Sequence, residues 1–280
     1  MTIEILLSRL LNRKNSTHKG DYGRVGVLAG SESMLGAAQL TSFSALKSGS
    51  GLVYLYSVKE ALGFIKSHPE LIIYNCLHNN IKKDTLSIEA LINKNKLDVL
   101  AIGPGLGVSD YVKNLVLKIM GFLQENNIPA VIDADALSCL EGCNWDLFNL
   151  KQCVLTPHVG EFKRLFPELD YDDCLDVRKT ITKKAAQISN QIVVLKGFNT
   201  VVSNGKDVYV NTTGNPSMAT AGAGDVLTGI ISSLIGQGFS LYEASCLGVY
   251  LHGKAGDKAH KELSISLTAS NIIDYLQYVL

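Results

Sequence analysis

The chain has 280 residues, 46% of them hydrophobic and 19% charged, which suits a globular fold with a sizeable core. Lysine plus arginine and aspartate plus glutamate both number 26, so the formal net charge is zero. That excludes a strong basic field for non-specific capture of nucleic acid or anionic membrane, and any anion must be bound locally.

The opening MTIEILLSRLLNRKNS reads as a short amphipathic helix. Glu4 and Arg9 among its leucines, and the lack of a small-residue cleavage site, argue against a signal peptide. A strand–helix rhythm follows. RVGVLAG (24–30) predicts a buried strand, GAAQLTSFSALKSGSG (36–51) a helix stopped by glycines, and LVYLYS (52–57) and ELIIYN (70–75) two strands. LDVLAIGPGLG (97–107) is a strand running into a glycine loop, and YVKNLVLKIMGFLQENN (111–127) is an amphipathic helix. PAVIDADAL (129–137) and CVLTPHVGEF (153–162) are strands ending in polar turns. CLDVRKTITKKAAQISN (174–190) predicts a helix with a charged outer face, and IVVLKG (192–197) a strand. NTVVSNGKDVYVNTTGN (199–215) has a hairpin pattern with Asn204-Gly205 at its turn, and three helices finish the chain.

This alternation predicts a single α/β domain over 1–280, with a mostly parallel sheet covered by helices on both faces. Ligands of such sheets bind beyond the carboxyl ends of the strands, where the turns 103–107, 133–135, 156–161 and 196–197 fall. The six cysteines form no CxxC pair and read as scattered thiols of a reducing cytosol. With no apolar stretch long enough to span a bilayer, a soluble, cytoplasmic protein is expected.

MATAGAGDVLTGIISSLIG (218–236) crowds small residues before a helical apolar pattern that starts near Gly224 or Asp225. The free N–H groups of a helix start, aided by its dipole, form an anion site, and Ala221 to Gly224 leave the backbone bare for a phosphate. A carboxylate repels phosphate, so Asp225 either takes a proton from a hydroxyl that attacks phosphorus or simply complements the helix dipole. GPGLG (103–107) lacks the dinucleotide-binding spacing and is either a tight turn or a backbone surface for a ligand. GVYLHGKA (248–255) imitates a P-loop, but Ala255 replaces the magnesium-binding hydroxyl and the segment reads as helix. Asp133 and Asp135 either hold Mg²⁺ or serve the turn, with Asp135 as a helix cap. His158 and Glu161 are candidates for substrate contact and for a Mg²⁺-bound water, or are surface turn residues; His18 in HKGDYG carries the same pair of readings.

HKGDYGRVGVLAGSESMLGAA, AIGPGLG, VIDADAL, LTPHVGEF, VVLKG, NTTGN and AGAGDVLTG occur in that order from His18 onward. Together they resemble the ribokinase-like fold and, within it, the NAD(P)H-hydrate dehydratases of the YjeF C-terminal type. Val159 departs from the family's usual proline, and Ala221-Gly222-Ala223 from its usual Gly-Gly-Thr. The resemblance implies repair of hydrated nicotinamide cofactors. The ring hydroxyl is phosphorylated by ADP (or ATP), with Mg²⁺, and phosphate then leaves. It implies Asp225 as the catalytic base, and Ala37, Gly105, His158 and Asp225 lining the hydrate site. Lys196, Gly197, Phe198, Asn199 and Thr200, with Gly222, Ala223 and Gly224, would hold the adenine nucleotide, and Glu161 would reach the metal through water. Expected partners are the NADH or NADPH hydrate, in its S form, and the nucleotide, with neither nucleic acid nor membrane. A homo-oligomer, a tetramer by resemblance, and the absence of an epimerase domain are expected too. The alternatives are a ribokinase-like kinase of a small alcohol, such as a thiazole or pyrimidine precursor, and a non-catalytic nucleotide sensor.

Overall fold

The computed structural model describes residues 2–145 and 152–280, apart from the Ile65 side chain. Among them, nine strands make one sheet: β1 (Arg24–Leu28), β2 (Leu52–Ser57), β3 (Ile72–Asn75), β4 (Val99–Ile102), β5 (Ala130–Ile132), β6 (Cys153–Leu155), β7 (Ile192–Leu195), β8 (Val201–Ser203) and β9 (Val208–Val210). Their order is β3-β2-β1-β4-β5-β6-β7-β8-β9. The first seven strands pair in parallel. β8 and β9 form the expected hairpin and continue the sheet antiparallel from β7.

Side chains alternate across each strand, and here the alternation sorts them into two cores. Val25, Val27, Val99 and Ala101 face one core, while Leu28, Leu100 and Ile102 face the other. Both faces are buried, which is why these strands read as near-continuous apolar runs. The first core is closed by α1 (Ile3–Leu11), α2 (Leu35–Lys47), α8 (Ala223–Gly236), α9 (Leu241–Leu263) and α10 (Ala269–Tyr275). The second is closed by α3 (Ile81–Asn95), α4 (Asp110–Glu125), α5 (Asp135–Ser138), α6 (Val159–Leu165) and α7 (Leu175–Ser189).

Two features depart from the sequence reading. Residues 76–96 had no assigned element, yet α3 fills most of that stretch. Its inner face carries Asp84 and Thr85 beside Ile88 and Ile92, so the apolar periodicity is broken. Asp84 Oδ2 accepts from the N–H groups of His78 and Asn80 and from the Tyr111 hydroxyl, while Oδ1 is buried without a hydrogen-bond partner among the described residues. The second departure is Arg178, expected on the charged outer face of α7 but buried against the loop after β7. No helix among the described residues is long and apolar enough to cross a membrane.

Candidate active site

β4, β5, β6 and β7 are neighbours and parallel, so the turns after them line one edge of the sheet. Into this edge points the start of α8. Gly222 precedes the helix with φ +88°, a left-handed conformation that glycine adopts without strain. The helix begins at Ala223, one residue before the expected start. The Ala223 N–H donates to the Thr220 carbonyl at 3.3 Å and the Val226 N–H to the Gly222 carbonyl at 3.1 Å. Among the described residues the N–H groups of Gly224 and Asp225 have no such partner. Those two donors at a helix start suit an anion.

Behind them lies a buried ion pair. Lys196 Nζ is 2.6 Å from Asp133 Oδ1, and the Thr228 hydroxyl donates to Asp133 Oδ2 at 2.7 Å. A Cβ on Gly224 would lie 3.3 Å from Lys196 Nζ, so the ammonium sits directly against the turn. Burial alone would raise the Asp133 pKa; the Lys196 charge and the hydrogen bonds to its carboxylate outweigh it and hold it below the usual range. Among the described residues Asp225 has no such direct partner. Burial first, then the Asp133 charge, push its pKa up to about 7, with Asp135 and Glu161 adding and Lys196 opposing.

Asp133 and Asp135 do not share a ligand site. Asp133 is committed to Lys196, while Asp135 opens α5 and accepts the Gly107 N–H at 2.7 Å. In this structure Asp133 makes an ion pair and Asp135 serves the turn. The glycine loop they support reaches α2: a Cβ on Gly105 would lie 2.6 Å from the Met34 carbonyl oxygen and 2.9 Å from Ala37 Cβ. Ala37 and Gly105 are therefore adjacent. The α8 turn rests on the same helix, since a Cβ on Gly222 would lie 2.3 Å from Leu40 Cδ1.

His158 and Glu161 cap α6 reciprocally. His158 Nδ1 accepts from the N–H groups of Gly160 and Glu161, at 2.9 and 3.3 Å, and Glu161 Oε2 accepts the His158 N–H at 2.8 Å. The ring proton of neutral His158 is thus on Nε2, and the side chain is 57% exposed. Burial raises the Glu161 pKa, against the pull of the Lys196 charge. His18 stands apart. Its segment precedes β1 at the opposite end of the sheet, where a Cβ on Gly23 would lie 2.5 Å from the Gly236 carbonyl carbon at the far end of α8. HKGDYG is not part of the edge that holds Asp225.

A cavity of about 480 Å³ opens beside the α8 turn. Lys196, Gly197, Phe198, Asn199 and Thr200 form one wall, residues 211–216 another, and Ala223, Gly224 and Leu227 a third; Val249, His252 and Gly253 of α9 complete it. Gly222 stands behind this lining. Arg178 lies under the first wall and donates to the carbonyls of Phe198 and Leu195. Phe198 is 83% exposed, an aromatic face without a protein neighbour to cover it. Sequence reasoning missed the Asp133–Lys196–Thr228 group, Arg178 and His252. NTTGN and the P-loop imitation on α9 marked two of the walls without revealing what they did. Among the described residues, no three His, Cys, Asp or Glu side chains cluster to hold a metal.

The fold is that of a ribokinase-like protein, and its α8 start carries two N–H groups without a backbone partner among the described residues. A solved ribokinase-like superfamily protein from Enterococcus faecalis superposes with a TM-score of 0.85 at 25% identity, covering 100% of this chain and 94% of that one. The chain belongs to the NAD(P)H-hydrate dehydratase family, whose model matches residues 25–278. It is similar to the bifunctional NAD(P)H-hydrate repair enzyme Nnr of Moorella thermoacetica, with 40% identity over 98% of this chain and 52% of that protein. It is also similar to the ADP/ATP-dependent NAD(P)H-hydrate dehydratase of Bacillus subtilis, co-crystallised with ATP/Mg²⁺. That structure has a TM-score of 0.83 at 29% identity, over 99% of this chain and 96% of that one. The chain spans about half the length of the curated relatives it matches.

Proposed function

We propose that the chain dehydrates the S form of NADH or NADPH hydrate, converting ADP (or ATP in its place) to AMP (or ADP) and phosphate. Hydroxide is a poor leaving group from a ring carbon, and phosphorylation turns it into a good one. Asp225 takes the proton of the ring hydroxyl as that oxygen attacks the terminal phosphorus. The N–H groups of Gly224 and Asp225 and the Lys196 ammonium stabilise charge on the transferring group. Phosphate then departs, the adjacent carbon loses a proton, and the ring double bond returns.

In this reading Lys196 to Thr200 and Ala223 to Gly224 hold the nucleotide, with Gly222 shaping the turn from behind. Ala37, Gly105, His158 and Asp225 line the hydrate site. The donor set fits Mg²⁺ carried mainly by phosphate oxygens and water, because no protein cage is built among the described residues. Glu161 is the carboxylate assigned to it, through water. When bound, the ion offsets negative charge on the phosphates. The reading extends to a cytoplasmic homo-oligomer, a tetramer as the resemblance implies, in which residues 1–280 act on the S epimer alone.

The observation that carries the proposal is Asp225 itself. It is a carboxylate with a pKa near 7 at a helix start whose N–H groups are free for phosphate. The test is incubation of purified protein with the S hydrate of NADH, Mg²⁺ and either ADP or ATP, following reduced-nicotinamide absorbance and released phosphate. Recovery of both in step is the expected result. No recovery with the hydrate, with a stable phosphoester formed when a thiazole or pyrimidine alcohol replaces it, would mean a small-alcohol kinase instead.

A further inference from the structure

His252 lies on α9, inside the segment that imitates a P-loop, and takes no part in the chemistry described above. Its ring lines the cavity, and its Nε2 is 2.9 Å from the carbonyl oxygen of Ala223, the first residue of α8. A carbonyl can only accept, so Nε2 carries the proton. Burial pulls the ring's pKa down to about 4; the bond to Ala223 opposes this and the Lys196 charge adds to it. The ring is therefore neutral at physiological pH, and Nδ1 presents a lone pair. Among the described residues nothing donates a hydrogen bond to Nδ1.

The ring's position is fixed from both sides. The Ala223 bond ties it to the phosphate turn. One residue on, Gly253 lets α9 approach Thr213 so closely that a Cβ there would lie 2.2 Å from the Thr213 hydroxyl oxygen. Further along α9, Asp257 accepts from the Gly214 N–H and the Asn215 amide, each at 3.0 Å. The same helix thus braces two walls of the cavity, and His252 sits where they meet.

We infer that Nδ1 of His252 accepts a hydrogen bond from the nucleoside part of the bound nucleotide, which makes His252 a specificity residue for the phosphoryl donor. Phosphate oxygens are mostly deprotonated at neutral pH and act as acceptors, so the partner is a ribose hydroxyl or the adenine 6-amino group. An acceptor that the bound nucleoside removes from water disfavours a ligand lacking the matching donor, because the acceptor is then left unpaired. The inference rests on the reading of this cavity as the nucleotide site, though not on the identity of the hydrate.

The experiment is calorimetric binding, without hydrate, of ADP and three analogues: 2′-deoxy-ADP, 3′-deoxy-ADP and the diphosphate of purine riboside, which lacks the 6-amino group. Wild-type protein should bind one of the three about five- to tenfold more weakly than ADP. In His252→Gln the amide nitrogen can replace Nε2–H toward Ala223 while the Nδ1 acceptor is gone. That variant should bind ADP and the discriminated analogue equally, with a melting temperature close to wild type. Equal binding of all three analogues and ADP by wild type, or unchanged discrimination in His252→Gln, would overturn the inference. The analogue series on wild type needs no variant, so a folding defect cannot mask the answer. Failure of ADP to bind wild type at all would remove the nucleotide reading and this inference together. The expected binding pattern without hydrate turnover would remove only the dehydratase reading.

Discussion

Replacing Asp225 by Asn should stop turnover and stabilise the fold, and the second effect has a pH signature. Burial and the charges of Asp133, Asp135 and Glu161 outweigh Lys196 and place the Asp225 pKa at about 7 in the folded protein. In the unfolded chain an ordinary aspartate titrates near 3.9. The folded state holds the proton more tightly, so ionising Asp225 opposes folding above about pH 7 and the penalty vanishes below about pH 4. At about 1.4 kcal/mol per pKa unit, the penalty is about 4 kcal/mol at pH 8 and about 1.5 kcal/mol at pH 5. Asparagine has the shape without the charge and escapes it. For a domain of this size the melting temperature should rise by about 6 to 8 °C at pH 8 and about 3 °C at pH 5. Scanning calorimetry at both pH values, paired with the hydrate assay and ADP calorimetry, reads all three consequences. Nucleotide affinity should stay near wild type. An equal rise at the two pH values would refute the electrostatic account of Asp225, and wild-type turnover would refute its role as base.

Lys196→Met should leave Asp133 charged, buried and unpaired, destabilising the protein by about 3 to 5 kcal/mol in urea denaturation; adding Asp133→Asn should recover most of the loss. Gly105→Ala places a methyl against the Met34 carbonyl and Ala37 at a backbone φ of +66°, so KM for the hydrate should rise while ADP affinity holds. Steady-state kinetics alongside calorimetry separate the two. If Mg²⁺ arrives with the nucleotide, as proposed, chelation of Mg²⁺ should abolish turnover yet leave the melting temperature of the nucleotide-free protein unchanged.

The parts legible in sequence were those with a local signature. Strands buried on both faces show as apolar runs, and glycine and acid turns after β4, β5, β6 and β7 marked the edge where the site lies. Asp225 stood out because a carboxylate beside a bare anion-binding turn repels phosphate, although a helix-start acid that complements the dipole gives the same local pattern. The illegible parts depend on distant partners. Lys196 meets Asp133 across 63 positions and Thr228 meets Asp133 across 95, and no periodicity registers such pairs. Helix α3 escaped because its buried Asp84 breaks the apolar stripe, and the partners of its Oδ2 lie on Tyr111 and in the preceding loop. Arg178 read as solvated for the same reason: the carbonyls that hold it lie 17 and 20 residues further on. The P-loop imitation misled in the opposite sense, since it was dismissed for lacking one function while carrying the ring that lines the cavity.

The walls of the large cavity all come from residues at or after Lys196, whereas Ala37, Gly105 and His158 come before it. On the proposed function, donor and acceptor recognition therefore fall in separate stretches of one chain, joined at Asp225 and at the Asp133–Lys196 pair. On that reading, a lineage can exchange its acceptor by altering segments 34–37 and 103–107 and the turn at His158 while inheriting its phosphoryl donor intact. A laboratory redesign can follow the same division, screening acceptor-side libraries in a background whose nucleotide binding serves as a constant.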